Sequence, residues 1–121
     1  MVRMTRDEKQ KIAINLAERL PQLRMHLGCT QADFAELCGV SKERISRIEN
    51  KHYIMSWTQA LAILAVLAVN KQTAGELLEY KLVDSRLVSF LQRKDKGEKP
   101  EWDTKGYRYH TKSPRRKKET E

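Results

Sequence analysis

Apolar residues recur at helical spacing along the chain until about residue 91 and then almost cease. Ile12, Leu16, Leu20, Leu23 and Leu27 step along one face, and Thr5 followed three residues later by Glu8 has the spacing of a capping box ahead of them. An opening helix is predicted. Proline lacks the backbone amide and crowds the preceding turn, so Pro21 should kink or restart that helix. Thr30 to Asn50, TQADFAELCGVSKERISRIEN, spells two short helices around Gly39, with Thr30 and Ser41 as caps and the glycine suited to a left-handed helix end. Phe34, Ala35 and Cys38 form the inward face of the first helix. Val40, Ile45 and Ile48 supply the apolar positions of the turn and the second. Helices this short must cross steeply, which projects the second outward.

Farther on, Ser56 can cap a helix from Trp57 to about Ala68 that is apolar on more than one face and therefore buried. Thr73 with Glu76 has capping-box spacing and predicts a helix through Leu77, Leu78 and Tyr80. Asp84 should cap a last helix holding Leu87, Val88, Phe90 and Leu91. The apolar residues between Leu82 and Leu91 need a partner, either Met1 to Leu20 of the same chain or the same region of a second copy.

Stepping about 100° per residue from Ile45 and Ile48 puts Glu43, Ser46, Arg47 and Asn50 opposite the buried side, with Lys42 and Arg44 on the flanks. Long polar side chains on the first turns of such a helix are what base edges in a major groove require. Gln31, Ala35, Gly39, Val40, Ser41, Ile45, Ile48, Glu49 and Asn50 also match, position by position, the Cro and cI-repressor type of helix-turn-helix, the XRE family. The stretch from about Leu23 to Leu78 resembles that family. The resemblance implies an all-α fold: a compact lambda-repressor-like bundle of about five helices, here with an extra N-terminal helical segment, an extra C-terminal helix and a disordered basic tail. The corresponding boundaries are 1–20 for the extension, 21–80 for the DNA-binding domain, 81–91 for a helix available for dimer contact, and 92–121 for the tail.

Carried over residue by residue, the resemblance puts Lys42, Glu43, Arg44 and Arg47 on base edges. Gln31, Ser46, Asn50, Lys51 and Tyr53 fall on phosphates, and Arg24 with Glu49 form a structural ion pair. For Glu43 two roles stay open, accepting from a cytosine amino group or pairing with Arg47 four residues on.

The 121 residues amount to one domain, and 24 basic against 16 acidic residues give a net charge of +8, which suits an anionic partner. Much of the excess lies late: 13 basic against 10 acidic residues through Leu91, then 11 against 6. The late segment interleaves Trp102, Tyr107 and Tyr109 with Lys105 and Arg108 and carries a basic cluster from Arg115 to Lys118. It reads either as an arm adding phosphate or minor-groove contacts or as a solvated tail. The longest apolar run, Ala60 to Val69, is too short for a bilayer, so a cytoplasmic, nucleoid-associated protein without membrane contact is expected.

Catalytic signatures are missing: there is no G-x-S-x-G, no phosphate-cradling glycine loop and no H-E-x-x-H, and His26, His52 and His110 are scattered. Cys29 and Cys38 would be separated by roughly 13 Å along a helix, too far to bridge, and with His26 they lack the spacing of a metal site. No catalytic residue, metal or cofactor is expected.

The expected function is sequence-specific binding of double-stranded DNA by a homodimeric transcriptional regulator, acting as a repressor. The alternative is an antitoxin-type module that also binds a toxin partner. RNA is disfavoured, because an A-form major groove is too narrow for a helix.

Overall fold

Five of the six helices in the computed structural model, which describes residues 1–101, begin at a Ser, Thr or Asp whose side chain accepts a free amide of the first turn. The helices are α1 (Arg6–His26), α2 (Gln31–Cys38), α3 (Lys42–Glu49), α4 (Trp57–Val69), α5 (Lys71–Glu79) and α6 (Ser85–Leu91). Thr5, Thr30 and Ser56 complete reciprocal capping boxes with Glu8, Asp33 and Gln59. Among the described residues there is no strand, and no single helix is long and apolar enough to cross a membrane. The predicted elements are present, and the fold is all-helical.

One core joins them. Leu16, Leu20 and Leu23 of α1 meet Phe34 of α2, Ile45 and Ile48 of α3, and Ile63 and Leu67 of α4, all without solvent exposure. Helix α1 lies against α3, α4 and α5, and α2 crosses both α3 and α4.

Two sequence expectations change here. Helix α1 runs unbroken through Pro21, so the boundary drawn at residue 20 falls inside a helix. Proline does remove one amide from the ladder, but Leu16 and Leu20 before it and Leu23 after it are sealed in the core, and their burial keeps the helix continuous. The N-terminal segment is therefore part of the bundle. Helix α5, in turn, starts at Lys71, two residues before the predicted capping box. Thr73 is buried inside the helix and donates to the Leu67 carbonyl at 2.6 Å, while Glu76 turns to His26 Nδ1 at 2.8 Å. Thr73 thus satisfies an orphan carbonyl at the end of α4 instead of an orphan amide at the start of α5.

The late apolar residues find their partner within the chain. Leu82 and Leu87 are buried in the common core, and the Lys9 ammonium sits between the rings of Trp57 and Phe90, 5.5 and 5.2 Å from their centroids. Arg86 Nε donates to Glu8 at 2.8 Å and Arg86 Nη2 to the Arg3 carbonyl at 2.8 Å. That guanidinium, more than the Thr5 amide, holds the Glu8 carboxyl below its ordinary range. A depressed folded-state value means the pairing favours the fold at neutral pH and is lost as acid protonates the carboxyl. Residues 92–101 fold back along the same edge: the Lys94 carbonyl accepts from Val2 N at 2.6 Å, and Gln92 exchanges two bonds with the Glu101 backbone. The aromatic and basic groups of the expected tail, from Trp102 onward, lie outside the described residues.

Burial of Leu16 gives a direct check on the role of the N-terminal segment. Leu16→Ala should lower unfolding free energy by about 2–5 kcal/mol in a denaturant titration, as for a core leucine. A loss below about 0.5 kcal/mol would return the segment to the surface.

Candidate nucleic-acid interface

The α3 helix is set by what lies behind it. Ile45 and Ile48 have no exposed surface, and Ser41 accepts from Arg44 N at 3.1 Å to start the helix. Gly39, with φ +72°, turns the chain between α2 and α3. At the far end, the Glu49 carboxylate receives Arg24 Nε at 2.7 Å, Arg24 Nη2 at 3.0 Å and Gln31 Nε2 at 2.9 Å. Arg24 Nη1 also donates to the Cys29 carbonyl at 2.9 Å. One carboxylate therefore ties α3 to α1 and α2. Arg24 and Glu49 keep 15% and 5% of their side-chain surface, so the pair is largely withdrawn from water and its charges are committed to each other. Hydrogen bonding to Glu49 raises the Arg24 pKa above its ordinary value, which favours the charged form further.

On the opposite side, Lys42, Glu43 and Arg47 are exposed, and with Gln31 and Ser46 they line one shallow open depression. None of the three forms an ion pair with a described residue, and Glu43 is not within ion-pair reach of Arg47. Asn50 is exposed at the helix end. Arg44 is not in this group. Its guanidinium lies 4.0 Å from the centroid of the Tyr53 ring, on the flank of α3.

Lys51 ends the helix in a left-handed conformation, φ 63°, where glycine is usual. Lys51 N donates to the Ile48 carbonyl at 3.1 Å and His52 N to the Arg47 carbonyl at 2.8 Å, closing a Schellman motif. The Lys51 ammonium, 60% exposed, reaches Glu18 at 3.5 Å. Tyr53 is half-buried, and its hydroxyl donates to Gln59 Oε1 at 3.2 Å.

Sequence reasoning missed two contributors. Glu18 carries no signal, because its approach to Lys51 depends on how α1 passes the end of α3. Gln59 was accessible through its capping-box spacing from Ser56, but its second bond, to Tyr53, is tertiary. Cys38 is buried, and burial pushes its thiol up to about 11, so it stays neutral and acts as a small core residue. Among the described residues no group of His, Cys, Asp and Glu is placed to hold a metal.

A family model described as a helix-turn-helix domain matches residues 15–77, from the middle of α1 to the last turn of α5. No curated protein and no solved structure matches the chain. The match takes in just over half of the sequence, and the chain belongs to this helix-turn-helix family of DNA-binding domains.

Removing Glu49 would leave Arg24 charged and unpaired in a half-closed site. Glu49→Ala should destabilise the protein by about 2–3 kcal/mol, somewhat less than the loss for a fully sealed pair because Arg24 retains some solvent contact. Chemical denaturation measures this directly, and a change within about 0.5 kcal/mol would mean that the pair is not a brace.

Proposed function

We propose that this helix-turn-helix protein is a sequence-specific transcriptional regulator that seats α3 in the major groove of double-stranded DNA and represses by blocking the site. One observation carries the proposal: Lys42, Glu43 and Arg47 stand exposed, with no ion-pair partner among the described residues, on the side of α3 opposite two fully buried isoleucines. A helix fits that groove, and bracing from behind presents polar side chains to base edges without a further cost of ordering the backbone.

Arg47 and Lys42 suit guanine O6 and N7, and Glu43 suits a cytosine amino group. Gln31 gives one amide hydrogen to Glu49 and keeps a second for a phosphate, while Ser46, Asn50 and Lys51 supply further backbone contacts. Repression is the sign we assign, because a helix seated in the groove occupies the site and blocks it sterically.

A single α3 spans only a few base pairs, so selectivity in a genome calls for two copies on a palindrome, one helical turn apart. A homodimer is the assembly we assign to the DNA-bound state. Leu82 and Leu87 are already committed to the core, which leaves Leu91, half exposed, as the apolar residue of α6 open to a second copy. A toxin partner remains the alternative, and an adjacent reading frame for a small toxin would favour it. A DNA-binding role accords with a cytoplasmic, nucleoid-associated location.

Selection from random duplex DNA should return a short, preferentially palindromic motif, and Arg47→Ala should lose about 1–3 kcal/mol on it and relax the preference at one base pair. No enrichment from the wild-type protein would end the proposal. Lys51→Gly should do two opposite things. Relief of the left-handed lysine should stabilise the fold by about 1 kcal/mol. Loss of one phosphate contact should weaken every duplex alike and make the slope of log K against log salt shallower by about 0.9. Unchanged salt dependence would remove Lys51 from the interface.

A further inference from the structure

Arg44 stands apart from the other charged side chains of α3. At about 100° per residue it lies roughly 60° from Arg47 and roughly 100° from Glu43, which puts it on the flank that faces the connection to α4. Its guanidinium is stacked on Tyr53 at 4.0 Å from the ring centroid. The Tyr53 hydroxyl donates to Gln59 Oε1 at 3.2 Å, and the same oxygen accepts from Ser56 N at 2.9 Å. Ser56 Oγ in turn accepts from Gln59 N at 3.2 Å. A continuous set of contacts thus links the capping box of α4 to a cation beside α3. Neither Arg44 nor Tyr53 lines the depression shared by Gln31, Lys42, Glu43, Ser46 and Arg47. Tyr53 instead borders a second concavity, together with Lys51.

A guanidinium stacked face-on against a ring keeps its N–H donors free, because all five point outward in the plane of the group. Stacking holds the fork in one orientation without using its hydrogen bonds. When a helix lies in a major groove, the side opposite its core meets base edges and its flanks meet the phosphate ridges that border the groove.

From this we propose that Arg44 is a phosphate clamp and reads no base, and that Tyr53 and Gln59 are positioning residues that aim it and do not touch DNA themselves. The proposal rests on the docking of α3 given above. It reassigns two residues, moving Arg44 from base edges to backbone and Tyr53 from backbone contact to platform. The α4 cap thereby takes part in DNA affinity, although α4 packs Ala60, Ile63, Leu64 and Leu67 into the core and lines no part of that depression.

The test uses the full chain on its selected duplex. Arg44→Ala should leave the selected base pattern unchanged, weaken all duplexes by the same several-fold factor, and make the salt slope shallower by about 0.9, while Arg44→Lys should keep the slope. Tyr53→Leu should weaken binding in the wild-type background and have no further effect once Arg44 is alanine. A tyrosine with a merely structural role would weaken both backgrounds equally, and that result would overturn its assignment. A shifted base preference in Arg44→Ala, or binding identical to wild type in affinity and slope, would overturn the assignment of Arg44. Failure of the wild-type protein to select any sequence would instead remove the docking of α3 and this proposal with it, and it is seen before any variant is made.

Discussion

The Glu49 carboxylate is the point on which the exposed face of α3 depends. It gathers Arg24 from α1 and Gln31 from α2 onto the last residue of α3, three elements whose relative angles apolar contacts alone would leave adjustable. Apolar packing is close but non-directional, and hydrogen bonds to a carboxylate are directional. Ile45 and Ile48 fix which side of α3 meets the bundle, and Glu49 anchors its last turn to α1 and α2. Without that anchor, the end of α3 that carries Arg47 would lose its tie to α1 and α2.

Local chemistry made much of the fold legible. Thr5, Thr30, Ser41, Ser56 and Asp84 announce helix starts because a side-chain oxygen two or three residues ahead of a free amide is a short-range device. Gly39 announces a turn because a residue without a Cβ enters the left-handed region at little cost. Pro21 and Thr73 misled because tertiary packing outweighed their local preference. The first is held in a helix by the buried leucines around it, and the second spends its hydroxyl on the Leu67 carbonyl across a helix junction. Periodicity likewise showed that Leu82 to Leu91 required burial without showing against what.

The candidate interface was legible to a similar depth. The rotation of α3 could be counted from two isoleucines, and the family pattern supplied the Arg24 and Glu49 positions. The stacking of Arg44 on Tyr53 could not be anticipated, since the connection between α3 and α4 has no periodicity from which to place a ring. Gln31 is similar: spacing puts it at a helix start, and only the crossing of α2 over α3 brings its amide to Glu49.

Among the described residues, three helices end on a long basic residue in the left-handed conformation: Lys51 after α3, Lys81 after α5 and Arg93 after α6. Cations are electrostatically welcome beside helix C-termini, yet the backbone there favours glycine. Lys81 and Arg93 lie away from the depression in front of α3, so their conformational strain serves no contact with nucleic acid described above. They form a reserve of thermal tolerance that an engineer could release by glycine at positions remote from that depression.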